Sequence, residues 1–160
     1  GWEELPVFRL SRLSDYGIVL MAHLAGLDRN DPHAAREVAS AAGLPLPVAS
    51  KLLKALTRKG LLVSHRGAKG GYTLARGPEE ISTAQMITAL EGPIGLTKCT
   101  VHPGECAQES NCHVREPWQR INDVVRTALS EVSLADLAQP PRAEHHPETL
   151  PLADEHRGRS

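Results

Sequence analysis

Between Val38 and Pro78 the chain carries no aspartate or glutamate, and across its 160 residues only 3% are aromatic. With so few rings the core must be filled by Leu, Val, Ile and Ala, which suits packed helices better than a β-sandwich. Cysteine is scarce too. There are three, all between residues 99 and 112, and an odd number cannot close into a full disulfide framework. Such a count suits a cytoplasmic protein whose thiols stay reduced. No run of about 18 apolar residues is present, so no segment reads as a membrane-spanning helix. The opening GWEELPVFRL lacks the basic-then-apolar order of a secretory signal. No nucleophile–base pair or paired carboxylates stand out, so neither an enzyme nor a small-molecule substrate is expected.

The acid-free stretch is far from neutral. It holds Lys51, Lys54, Arg58, Lys59, Arg66, Lys69 and Arg76, whereas ten acids face six bases downstream of Cys99. A block of one sign inside a structured region is the electrostatic footprint of a polyphosphate partner. The net charge of −1 hides this segregation.

Apolar spacing organises the stretch. From Leu13, LSDYGIVLMAHLAGL reads as a helix with Ser14 as its cap and Tyr16, Val19, Leu20, His23, Leu24 and Leu27 on its apolar face. DRNDPH breaks it. A short helix follows over residues 34–42, then GLPLP as a turn, since Gly43, Pro45 and Pro47 do not continue that helix. A third helix runs from Val48 to Lys59 and stops at Gly60. Ala49, Leu52, Leu53 and Leu56 form its buried stripe, while Lys51, Lys54 and Arg58 share another face. A short helix, a tight turn and a helix with a basic face make a helix-turn-helix, whose second helix enters the major groove.

LLVSHRGAKGGYTLAR then reads as strand, glycine-rich turn and a second strand around Tyr72–Leu74, the wing of a winged-helix domain. Arg66 and Lys69 stand at its tip, where long cations reach phosphates or a minor groove. ISTAQMITALEG gives a fourth helix capped by Ser82. Beyond the cysteine segment a long helix starts at Pro117, with Trp118, Ile121, Val125, Ala128 and Val132 close to a coiled-coil seam that suits a homodimer. The expected fold is mainly α with a small β-hairpin wing. Residues 1–8 are a leader, 9–91 the winged helix-turn-helix domain, 92–116 the cysteine loop, 117–138 a dimerisation helix, and 139–160 a disordered tail in which His145 and His146 are solvated.

The loop CTVHPGECAQESNC contains no close Cys-x-x-Cys pair. Its residues alone leave three readings open: an iron–sulfur cluster, a zinc ion, or unligated thiols. His102 and His113 are imidazoles on or beside the same loop, and Asp15 suits the helix dipole as an acid in a first turn. On the recognition helix Val48, Ser50, Lys51 and Lys54 face DNA. Ser50 suits a base edge or a phosphate, the lysines suit phosphates, and Arg66 suits minor-groove insertion.

In this order, the LSRLSDYGIVLM helix, the helix-turn-helix, RGAKGGYTLAR, the three cysteines and the long helix resemble the bacterial iron–sulfur-responsive winged-helix repressors, the group containing IscR and NsrR. The likeness spans residues 7–138. VASKLLKALTRKGLLVSHRGAKGGYTLAR is most similar to the branch that regulates the Suf cluster-assembly operon. The resemblance implies a homodimer on double-stranded operator DNA, with a [2Fe–2S] or [4Fe–4S] cluster held by Cys99, Cys106 and Cys112 of each subunit. It also implies a fourth ligand. In one pattern this is an aspartate of the partner's first helix, matched by Asp15. In the other it is a histidine three residues after the last cysteine, where this chain has Arg115 and carries His113 beside Cys112 instead. Six residues separate Cys99 from Cys106, where the family more often has five. Nitric-oxide or redox sensing and a zinc-stabilised regulator are the alternatives on the same fold.

Overall fold

The structure, a computed structural model, describes residues 10–107 and 109–139, and for residues 98, 99 and 109 the backbone alone. The expected leader at 1–8 and all but the first residue of the expected tail lie outside the described residues.

Helix α1 spans Arg12–Ala25, α2 Ala35–Ala42 and α3 Leu46–Arg58. The cap of α1 is Ser11, not Ser14: the Ser11 hydroxyl accepts the Ser14 N–H at 3.1 Å. Ser14 instead lies on the buried face with Gly17, Leu20, Met21 and Leu24, while His23, expected on the apolar face, is exposed. Small residues are needed there because the fourth helix comes close. A Cβ on Gly17 would sit 2.7 Å from Leu90 Cδ1.

Gly43 ends α2 at φ 67°, and the Leu44 N–H donates to the Ala39 carbonyl, a left-handed helix stop that a Cβ would strain. Helix α3 begins at Leu46, two residues before the expected Val48. Pro47 falls in its first turn, where its missing N–H has no intrahelical partner to lose. Its predicted stripe is buried as read: Ala49, Leu52, Leu53 and Leu56 join Leu20, Met21, Leu24 and Val38 in one apolar core.

Strands β1 (Leu62–His65) and β2 (Gly71–Leu74) pair antiparallel, with Leu62 opposite Leu74 and His65 opposite Gly71. The wing also has a third edge that spacing does not reveal. The His33 N–H donates to the Tyr72 carbonyl at 3.0 Å, and the Tyr72 N–H returns to the His33 carbonyl at 2.8 Å. The His33 ring is fixed as well, with Nε2 2.9 Å from the Asp28 carbonyl and Nδ1 3.3 Å from Glu37 Oε1.

Helix α4 (Thr83–Glu91) has the expected Ser82 cap, and a short α5 (Lys98–Val101) follows. The long helix α6 spans Arg115–Glu131 and is not continuous to residue 138: Val132 is extended and a separate α7 covers Leu134–Ala138. The break has a clear cause. Thr83 N–H donates to the Val132 carbonyl at 2.8 Å and Leu134 N–H to the Ile81 carbonyl at 2.7 Å, so the chain pairs with residues 81–83. Ser133 then caps α7, and fully buried Leu134 enters the winged domain's core as α7 packs on α1.

Gly71 combines φ 157° with a Cβ direction that would overlap the His33 carbonyl. Gly71→Ala should therefore cost on the order of 1–3 kcal/mol, read as a lower urea midpoint with unchanged m-value.

Candidate nucleic-acid interface and thiol segment

Because α3 buries Ala49, Leu52, Leu53 and Leu56, its opposite face is left to water. Lys51, Lys54 and Arg58 are exposed there, and Val48 and Ser50 are half-buried. Arg66 and Lys69 are exposed at the wing tip, where Gly67 takes φ 110° and its carbonyl accepts the Gly70 N–H at 3.0 Å. None of these five cations has a carboxylate partner among the described residues. Helix and hairpin together enclose a shallow groove of about 470 Å3, lined by Lys51, Lys54, Thr57, Arg58, Ser64 and Tyr72. Ser64 and Tyr72 were missed by sequence reasoning, although their cross-strand pairing puts both on one face of the hairpin. Thr57 is spoken for: its hydroxyl donates to the Leu53 carbonyl at 2.7 Å. A larger cleft of about 960 Å3 lies between α4 and α6. It mixes Lys59, Arg76 and Arg126 with Glu79, Glu80 and Glu131, so its charges largely cancel and polyphosphate is not favoured there.

The thiols lie between α4 and α6. The backbone of Cys99 is in α5, and Cys106 and Cys112 are half-buried free thiols flanking a 3₁₀ turn at Glu109–Asn111. Asp15 is exposed in the first turn of α1; His113 and His102 are exposed on the segment. Among the described residues no three His, Cys, Asp or Glu side chains converge on a common point within one chain. The segment is nonetheless anchored. Asn122 of α6, 3% exposed, accepts the Leu96 N–H at Oδ1 (3.1 Å) and donates from Nδ2 to the Ile94 carbonyl (3.4 Å).

Residues 10–140 match the profile of the Rrf2 family, described as "Iron-dependent Transcriptional regulator". The chain is 33% identical over 130 residues to the HTH-type transcriptional regulator CymR of Bacillus subtilis, covering 81% of this chain and 89% of that one. It is 28% identical over 129 residues to IscR of Photorhabdus laumondii, covering 81% and 78%. Among solved structures, CymR of B. subtilis, "the Global Cysteine Regulator", superposes at TM-score 0.65 over 82% of this chain and 96% of that one, with 33% identity. T. potens IscR superposes at 0.62 over 86% and 88%, with 28% identity. This chain belongs to the Rrf2 family. It is a DNA-binding transcriptional regulator with the winged-helix fold, and its relatives are regulators, not enzymes.

In this Rrf2 protein the thiol segment begins where α4 meets α1. The Ser11 N–H donates to Glu91 Oε1 at 2.6 Å, which fixes the helix carrying Asp15 beside the last residue of α4. Burial pushes the Glu91 carboxyl up, but the Ser11 N–H and the Ser14 and Ser11 hydroxyls together outweigh it, and its pKa lies below the ordinary 4.5. The carboxylate is the stabilising form. Glu91→Gln should thus cost a small amount, under about 1 kcal/mol for so exposed a group, at neutral pH. The gap from wild type should be full above pH 4.5 and close as pH falls through the lower folded pKa, a trend that melts from pH 7 to 3 would measure.

Proposed function

We propose that this Rrf2 protein is an iron–sulfur-cluster-sensing repressor that binds, as a homodimer, operator DNA of cluster-assembly genes of the suf type. The observation that carries the sensing part is the gathering of all three cysteines on one anchored segment between the DNA-reading body and α6. Two of its thiols are free, and thiolates are the soft donors that iron–sulfur clusters take. The donor set therefore fits a cluster held by Cys99, Cys106 and Cys112. Its fourth ligand is Asp15 of the partner subunit, with His113 the alternative. A bound cluster would supply a group whose redox state or loss follows iron supply, oxidation or nitric oxide. The protein's own part is to hold it by a segment that can report its state.

On the DNA side, the exposed cations of α3 and the wing form one unpaired face. Lys51, Lys54 and Arg58 hold phosphates along the major groove, Val48 and Ser50 meet base edges, Arg66 enters the adjacent minor groove, and Lys69 steadies the wing on the backbone. The dimer forms through α6, where Trp118, Ile121 and Val124 are 37–69% exposed in the single chain, with Val132, 40% exposed, just past its end. An apolar groove of about 380 Å3 runs along it, lined by Pro117, Arg120, Ile121, Val124 and Val125. Two-fold symmetry then calls for a pseudo-palindromic operator.

The likeness to a regulator described as a global cysteine regulator favours a rival, in which the chain controls sulfur-metabolism genes and its thiols carry no cluster. Anaerobic purification with a visible spectrum and iron, sulfide and zinc analysis separates the two. The cluster reading expects iron and acid-labile sulfide in comparable amounts with charge-transfer absorption, most of it lost in Cys106→Ser. Zinc without sulfide, or no metal at all, would sink it.

Lys54→Ala should weaken operator and random DNA alike. It removes one phosphate contact per subunit, so the slope of log K against log salt should shrink by about 1.8 for the dimer, at about 0.9 per phosphate. A salt titration of wild type and variant reads this directly.

A further inference from the structure

Helix α6 has 17 residues, and Asn122 is the only one of them that is buried. A buried amide is costly unless both of its ends are bonded. Here both are, and to backbone groups 26 and 28 residues away: Leu96 N–H and Ile94 carbonyl. Only one orientation of the amide pairs both, so the side chain acts as a peptide-like partner to the start of the thiol segment.

What hangs on that clasp is compact. The Thr97 N–H and hydroxyl both donate to Thr100 Oγ1, at 3.1 and 3.2 Å, and the Thr100 hydroxyl donates back to the Thr97 carbonyl at 2.7 Å. The Thr97 carbonyl also accepts the Thr100 and Val101 N–H groups. Gly95 lies flush against this turn, since a Cβ there would overlap Val101 Cγ2. Residues 94–101 thus form one hook that carries the Cys99 backbone and is fastened to α6 at Asn122. On the helix, Asn122 lies directly beside Ile121 and one half-turn from Val124, two of the exposed apolar residues assigned to the dimer.

We propose that Asn122 is the positioning residue that transmits the state of the thiol segment to α6. A shift of the hook pulls on the one buried point of the helix and re-aims its apolar stripe, and with it the spacing of the two reading heads. This rests on the thiol segment being the sensing element.

The test uses the full chain as wild type, Asn122→Ala and Asn122→Asp. The aspartate keeps the acceptor for Leu96 N–H but sets an oxygen against the Ile94 carbonyl; it carries the same test if the alanine variant fails to fold. In metal-free protein, hydrogen exchange of the peptide covering 94–101 should rise about tenfold in the variant, while α1 and α3 stay unchanged. No rise at 94–101, or an equal rise throughout, overturns the proposal as a merely structural role would. In reconstituted protein, the ratio of operator affinity between loaded and apo forms should be about tenfold or more in wild type and fall to within about twofold in the variant, at equal iron content. A variant that keeps the wild-type ratio overturns it. A wild type that takes up no iron or sulfide sinks the cluster reading instead, and the exchange result then decides the role of Asn122 alone.

Discussion

The backbone pairing of residues 81–83 with 132–134 governs how the halves of this chain relate. Beyond the packing of α4 on α6, it is this pairing that ties the C-terminal end of α6 to the winged domain. With it, the chain is stopped at Val132, turned by Ser133 and sent back so that Leu134 fills the core beneath α1. Burying that leucine contributes roughly 1.5–3 kcal/mol, more than a surface contact between helices would. The return of α7 therefore fixes the C-terminal end of α6 to the DNA-reading body. The other end of α6 is left to the thiol segment, and that asymmetry is what makes the segment's position matter.

Charge is partitioned along the same division. Lys51 and Lys54, three residues apart, repel each other at a cost of a few tenths of a kcal/mol, as do Lys54 and Arg58. The sequence tolerates this repeatedly from residue 51 to 76 without placing one acid nearby. A fold selected for stability alone would intersperse carboxylates, as the cleft between α4 and α6 does with Glu79, Glu80 and Glu131. An unpaired cationic face suits a polyphosphate partner, because an internal ion pair there would have to be broken before a phosphate could take its place.

Much of the DNA-reading half is legible in the sequence, because its signals are local. The α3 stripe follows from three- and four-residue spacing, and the wing from alternation around glycines. Ser82 and Gly43 act where capping and left-handed stops require them. What escapes the sequence depends on distant neighbours. Ser14 and Gly17 look like poor core residues until α4 arrives, its Glu91 bonding Ser14 and its Leu90 lying against Gly17. Pro47 reads as a breaker until Pro45 becomes the cap and the helix starts earlier. The third edge of the wing at His33, the break after α6 and the Asn122 clasp are all set by backbone groups tens of residues away. For the thiols, composition names the donors, but periodicity does not say how a loop of proline, glycine and asparagine will wind.

The energetics of the thiol segment suit a switch better than a scaffold. Among the described residues its polar ties to α6 include the two bonds from Asn122 to Ile94 and Leu96. A net contribution of about 0.5–1.5 kcal/mol per hydrogen bond gives the Asn122 clasp about 1–3 kcal/mol. An allosteric coupling of five- to 150-fold needs about 1–3 kcal/mol as well. A segment held by a large apolar interface could not be moved by a change at three thiols, and one held by nothing could not transmit it. The core built on Leu20, Leu53, Leu56 and Leu134 is apolar and fully buried, whereas the Asn122 clasp rests on two polar bonds, so of the two the clasp is the weaker tie.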